Sequence, residues 1–261
     1  MKISIYSKDK ENTEAILNQV KQLIYNHGHE ISDKDYDCVL YIGGDGTFLR
    51  AVQDNIDILD KIFFIGIHNG KLGFFYDYTM DDLEEMFLNL KEPVKFISEH
   101  RLLKAELFIN SQISETLYAV NEVRIENPFH TLVSDVFVDG YKLETYSGNG
   151  LVVCSSLGST AYNRSLGGSL VCPTLDTLQI TEIAPIFNRS YNSIGSSVVL
   201  SSDRIIEFIG NLSNVVVGYD YLTLHVDNLE KIKMQLTDKK VKILHNSNYH
   251  YINKLRRCFG E

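Results

Sequence analysis

The chain has no tryptophan, only four prolines and four cysteines in 261 residues, and no Cys-x-x-Cys pair among them. Cys38, Cys154, Cys172 and Cys258 are too widely spread to suggest a disulfide framework or a zinc site. Cys38 and Cys154 fall in apolar runs and read as small core residues. No histidine pair has zinc-ligand spacing. No apolar run is long enough to span a bilayer, and the opening Met1-Lys2-Ile3-Ser4-Ile5-Tyr6 reads as a strand without the apolar stretch of a signal peptide. These absences lead to an expectation of a reducing, cytoplasmic setting. Positive charge is also in short supply: 34 acidic against 25 basic residues give a net charge of −9, which argues against broad attraction to nucleic acid or an anionic membrane. Any phosphate site must therefore be built locally. Repeats, low-complexity tracts and flexible linkers are missing as well.

What the chain does have is Gly43-Gly44-Asp45-Gly46-Thr47, directly after the apolar run Val39-Leu40-Tyr41-Ile42. Glycine has no Cβ to obstruct close approach and tolerates positive φ, so such a loop can bring successive backbone N–H groups up to a phosphate. A helix beginning at Thr47 would turn its positive end toward the loop. The lone carboxylate is the anomaly, because it repels phosphate unless a divalent cation bridges the two or a nearby hydroxyl gives it a proton. Either role belongs to phosphoryl transfer. Asp between glycines is also ordinary turn chemistry, but its place between a buried strand and a helix is where open α/β sheets bind ligands. The loop is neither a Walker A motif, lacking the Gly-Lys-Ser/Thr triplet, nor the dinucleotide fingerprint.

The first hundred residues alternate strand and helix signals. Ile16, Val20, Leu23 and Ile24 recur at helical spacing with Gly28 as a stop, 37–42 and 63–67 read as buried strands, and Thr79 with Asp82 resembles a capping box before the stripe Leu83, Met86, Phe87, Leu90, which Pro93 closes. From Arg101 the period becomes two, with an Asp139-Gly140 hairpin cue and strand candidates at 151–154, 198–200, 205–209, 215–217, 222–226 and 231–236. The expected fold class is thus an α/β N-terminal nucleotide-binding domain, residues 1–100, followed by an all-β sandwich-like domain, residues 101–261, whose C-terminal tail packs back on the first. A second constellation, Gly158 to Gly168, mixes glycines, hydroxyls, an amide and Tyr162, whose ring can face a base or whose hydroxyl can meet a ribose or phosphate. Taken alone, the same stretch also reads as a capped helix start with a glycine stop. His68 in the second glycine loop is a further site candidate, whereas His225 reads equally as a structural residue. Arg189 beside Asn188 could meet a phosphate or a surface carboxylate.

Together these segments resemble the NAD kinase family, in its ATP- or polyphosphate-dependent bacterial form. The resemblance is carried by 43–47, the loop Gly66-Ile67-His68-Asn69-Gly70-Lys71-Leu72-Gly73-Phe74, the pair Asn121-Glu122, and Gly158-Ser159-Thr160-Ala161-Tyr162-Asn163 with Gly167-Gly168, in order along nearly the whole chain. Diacylglycerol, sphingosine and phosphofructokinases share the aspartate loop alone. Gln179 to Ala184 resembles a helix after the tyrosine segment, and Asp220-Tyr221 falls where the family has aspartate and a polar residue.

The resemblance implies transfer of the ATP γ-phosphoryl group to the 2′-hydroxyl of the adenosine ribose of NAD, with Mg²⁺ or another divalent cation carried by ATP, the dinucleotide held between the two domains, and a homodimer or homotetramer. It implies that Asp45 is the general base, that Gly44 and Gly46 line phosphates, and that Phe74 touches adenine. Asn121 and Glu122 would bind a ribose or polyphosphate with its metal, while Ser159, Thr160, Ala161, Tyr162, Asn163, Ser165, Ala184 and Tyr221 would complete the nucleotide site. Two positions depart from the pattern. Asn149 stands where relatives carry aspartate and Ser147 where many carry a basic residue; both are expected at the substrate, with affinity and preference altered rather than chemistry. A lipid or sugar kinase with the same loop and a non-catalytic NAD/NADP sensor are the rival readings.

Overall fold

The computed structural model describes residues 1–7, 14–68, 73–187 and 193–260. Two compact units emerge: one made of residues 1–99 with 239–261, the other of residues 100–238.

In the first unit the chain runs β1 (Lys2–Ser7), α1 (Glu14–Asn26), β2 (Glu30–Ile31), β3 (Cys38–Ile42), α2 (Asp45–Asp54), β4 (Phe63–Ile67) and α3 (Leu83–Asn89). Strands β2-β1-β3-β4 are parallel neighbours, with Cys38 opposite both Ile3 and Phe63. All five residues of β3 are buried, which explains its unbroken apolar run: a parallel strand covered on both faces has no polar side to show. Cys38, Leu40 and Ile42 pack with Val20 and Ile24 of α1 and Met86 and Phe87 of α3. Tyr41 points to the opposite face, where its ring meets Phe48 of α2, which also meets Phe64 and Phe75. Gly28, at φ +75°, follows α1 as the expected stop. Thr79 and Asp82 form the expected capping box, on a 3₁₀ turn (Met80–Asp82) that leads into α3.

The second unit is built of β5 (Ile97–Ile109), whose first residues lie in unit one, β6 (Gln112–Ala119), β7 (Glu122–Glu126), β8 (Leu132–Val138), β9 (Tyr141–Gly148), β10 (Gly150–Ser155), the short α4 (Tyr162–Ser165), β11 (Thr177–Ile183), β12 (Val198–Ser201), β13 (Ile206–Leu212), β14 (Val215–Tyr219), β15 (Leu222–Val226) and β16 (Leu229–Leu244). One antiparallel sheet has the order β12-β11-β10-β7-β14-β15; the other joins β16, β13, β8 and β9, with β5 beside β16 and β6. Both sheets turn alternate side chains into one core, among them Leu103, Val123, Val153, Ile180, Phe208, Val217 and Met234, as expected of a sandwich. The fold class is therefore an α/β unit followed by a β-rich one.

One expectation fails: residues 179–184 are not helical but lie almost wholly in β11, between β10 and β12. Leu178 and Ile180 feed the core while Gln179 and Thr181 are buried on the other face, so the polar–apolar alternation from Thr177 to Thr181 is that of a strand and not of a helix. The final residues of β16 return to unit one, where Ile243 pairs with Phe64 of β4, and the chain ends in α5 (Tyr251–Phe259).

Candidate functional site

Each unit carries one group of the expected residues. In unit one, β3 delivers the glycine loop, and α2 begins at Asp45 itself rather than at Thr47, with extended Gly44 as its N-cap. Gly43 sits at φ +150°, and a Cβ there would collide with the Thr47 side chain, so glycine is required. No side chain caps α2, which leaves its first-turn amides uncapped by protein side chains beside half-buried Gly44 and exposed Gly46. Asp45 Oδ1 accepts the backbone N–H groups of Phe74 (2.9 Å) and Phe75 (3.1 Å), and Oδ2 also accepts from Phe74 (3.0 Å). That close approach needs Gly73, where a Cβ would lie 2.5 Å from Asp45 Oδ1. Burial raises the Asp45 pKa above the ordinary carboxylate range, while the two N–H bonds and the charges of Lys254 and His68 act against the rise. His68 stacks on Tyr76, with ring centroids 4.4 Å apart, and its pKa is lowered by burial. Half-buried Phe74 meets the ring of Phe259 at 5.2 Å. Asn69, Gly70, Lys71 and Leu72 of the expected loop lie outside the described residues, as do Asn188 and Arg189.

In unit two, Glu122 opens β7 and Asn121 immediately precedes it. Asp220, held at φ +48° in the turn after β14, accepts the N–H groups of Val120 (2.9 Å) and Asn121 (2.8 Å), one on each oxygen. Ser155 binds the carbonyls of Val120 and Asn121, and Gly158 packs so tightly on Asn121 that any Cβ would strike its carbonyl. The pair is thus fixed from three sides. Asn121 Oδ1 and Glu122 Oε2 are buried without a hydrogen-bond partner. Burial, then the neighbouring Asp220, pushes the Glu122 pKa to about 8, with Arg124 opposing. Arg124 lies 3.6 Å from Glu122, bonds Glu126 at 2.9 Å, and sits 5.5 Å from the Tyr162 ring centre; the Tyr162 hydroxyl donates to Glu126 (3.3 Å). Glu126 also lines a cavity with Asn149, Ile183, Pro128 and Val216, which links the tyrosine segment to the Asn149 corner.

Other expected residues divide by exposure. Ser165, Ala184 and Asn149 are exposed, while Thr160, Ala161, Tyr162 and Tyr221 are half-buried. Ala184 adopts φ +47°, and Asn149 exchanges backbone bonds with Asn127 and Ile183. Ser159 and Asn163 are fully buried: the Ser159 hydroxyl binds the Val171 backbone, and Asn163 binds Thr181 (2.6 Å) under Gly168. Ser147 is buried, with its hydroxyl unpartnered and its carbonyl taken by Ile186. Exposed His225 belongs to β15. Arg124 and Glu126 were not expected at the site, although Glu122, Arg124 and Glu126 fall at every second residue of one strand, and that spacing puts all three on one face.

A carboxylate at a helix start in an α/β unit, with a tyrosine and unpartnered oxygen acceptors in a β unit, defines a nucleotide-handling class of protein. Models of the ATP-NAD kinase N-terminal domain and of the ATP-NAD kinase C-terminal domain match residues 2–92 and 120–243. The chain is 32% identical over 266 residues to NAD kinase of Streptococcus pneumoniae strain 70585, covering 99% of this chain and 96% of that one. NAD kinase of the Hungary19A-6 strain is 31% identical over the same length. Two solved structures share the fold: an Archaeoglobus fulgidus NAD kinase in complex with ATP (TM-score 0.78, 20% identity, 100% of this chain and 98% of that one) and yeast NADH kinase complexed with NADH (TM-score 0.85, 18% identity, 100% and 88%). The chain belongs to the ATP-NAD kinase family.

Proposed function

We propose that the protein transfers the γ-phosphoryl group of ATP to the 2′-hydroxyl of the adenosine ribose of NAD, giving NADP, with Asp45 as general base. The observation that carries this reading is Asp45 itself: a carboxylate with a raised pKa at the uncapped start of α2, in a chain of this family. A ribose hydroxyl is too weak an acid to ionise alone near neutral pH. A carboxylate that takes its proton as the O–P bond forms contributes about 10²–10⁴-fold. The bond from the γ-phosphorus to ADP breaks as the new one forms, and the amides of the α2 start stabilise the charge that develops. In unit two, Tyr162 stacks on a base, and Asn121 and Glu122 hold a ribose or polyphosphate.

The unpartnered Asn121 and Glu122 oxygens are hard donors that fit Mg²⁺, and the ion would offset phosphate charge. Among the described residues no group of three His, Cys, Asp or Glu is placed to hold a metal, so further ligands would come from phosphate and water. No helix among the described residues is long and apolar enough to cross a membrane. A cytoplasmic homodimer or homotetramer belongs to the same reading, and light scattering on the purified chain tests the assembly.

The decisive experiment crosses ATP and polyphosphate with NAD and NADH, in the wild type and in Asp45→Asn. Asp45→Asn is expected to lower turnover by about 10²–10⁴-fold while NAD binding stays measurable. Near-normal turnover removes Asp45 from the role of base.

A further inference from the structure

The Phe74–Asp77 segment is gripped at both ends. Its first two N–H groups hold the Asp45 carboxylate, while the Tyr76 carbonyl and the Asp77 carboxylate both accept from the Lys254 ammonium of α5. Lys254 is 3% exposed and Asp77 8%, so the pair is shielded from solvent, and the second Asp77 oxygen is taken by His245. Two more side chains of α5 reach the start of this segment: Cys258 donates to the carbonyl of the preceding Gly73 (3.8 Å) and Phe259 meets Phe74. A buried lysine is costly unless its charge has a use, and packing alone is met more cheaply by an apolar side chain.

We propose that Lys254 is a positioning residue for the reaction: through residues 74–77 and through its own charge it sets the placement and ionisation of Asp45, which makes the C-terminal helix part of the catalytic apparatus. The inference rests on the reading of Asp45 as general base. The charge of Lys254 lowers the Asp45 pKa against the rise caused by burial. Among the described residues, the other titratable groups coupled to Asp45 are His68 after β4, Tyr76, Cys258 of α5 and Tyr41 of β3. Of these, His68 alone joins Lys254 in opposing the rise, and burial lowers the pKa of His68 and so disfavours its charged form. Among the described residues, Lys254 is thus the larger of the two positive charges that act on Asp45. The sign follows: a base must be deprotonated to act, so activity is lost as pH falls through the Asp45 pKa, and removing a nearby cation moves that loss to higher pH.

The test is the pH profile of kcat for wild type, Lys254→Gln, Lys254→Met and Lys254→Arg, with unfolding temperature and NAD binding measured alongside. Gln keeps donors for both acceptors without the charge, and Met fills the volume without donors, so at least one neutral variant is placed to fold. Either neutral variant is expected to move the acid limb upward and, below the wild-type midpoint, to lower kcat roughly tenfold with KM for NAD nearly unchanged. Lys254→Arg is expected to restore the wild-type limb. A folded neutral variant whose profile superimposes on wild type overturns the inference. If Asp45→Asn abolishes turnover in that same series, the base assignment survives and Lys254 alone loses its role; if Asp45→Asn is active, the base assignment itself has failed.

Discussion

Single atoms decide much at the residue scale. Gly73 is glycine because Asp45 Oδ1 and the Tyr76 ring leave no room for a Cβ. Gly73→Ala is therefore expected to push the carboxylate out of line and to lower kcat by about 10²-fold, the cost of a displacement near 1 Å. Steady-state kinetics at saturating substrates checks this. Tyr162 offers a separable test. If its ring stacks on a base, Tyr162→Phe keeps most of the NAD affinity while Tyr162→Ala raises KM roughly tenfold, because base–aromatic stacking contributes about 1–3 kcal/mol. Equal affinities for the three proteins would take the ring out of the site. The sequence displayed both residues openly. It also displayed Glu122, Arg124 and Glu126 at alternate positions, and that face went unread because a run of charges on a strand more often faces solvent.

Local pattern and tertiary cover pull apart at the element scale. The Thr79–Asp82 capping box was legible because it depends on residues three apart, and it formed as expected, on a 3₁₀ turn ahead of α3. Thr79→Ala should cost about 1 kcal/mol, seen as a lower unfolding midpoint at unchanged kcat. Strand β3 and its loop were legible for the same reason, since five apolar residues followed by two glycines specify their conformation locally. The start of α2 shifted by two residues because Gly44 readily takes the N-cap conformation, which brings Asp45 into the first turn. The helix that the resemblance implied for 179–184 is the end of β11 instead, and the polar–apolar alternation from Thr177 to Thr181 is the local signal that favours a strand.

Across the whole molecule, stability should depend on pH through buried carboxyl groups. Glu182 and Glu144 share one hydrogen bond while accepting the Gly195 and Ile194 N–H groups respectively, and burial, followed by the neighbouring carboxyl, pushes the Glu182 pKa to about 7. A carboxyl whose folded pKa lies above its unfolded value keeps its proton longer in the native state, so the contribution of Glu182 falls as pH rises from about 4.5 to about 7, and that of Glu122 falls on to about 8. The Tm of the wild type should accordingly fall between pH 5 and 8, to a degree that Glu182→Gln reduces; parallel slopes for the two proteins would assign the fall to other groups.

By itself the sequence determined the conformations that neighbouring residues dictate: the glycine loop and its carboxylate, the change from helical to two-residue period near residue 101, and the motif order that marks the family. Only the tertiary structure decided what surrounds those groups. Asp220 reaches Val120 across 100 residues of chain, and Lys254 reaches Asp77 across 177, by way of strand pairing and helix packing that no local pattern records. The physical reason is that backbone preference acts over a few residues, whereas the burial and charge that tune a carboxylate come from whichever distant segments the packed core brings beside it.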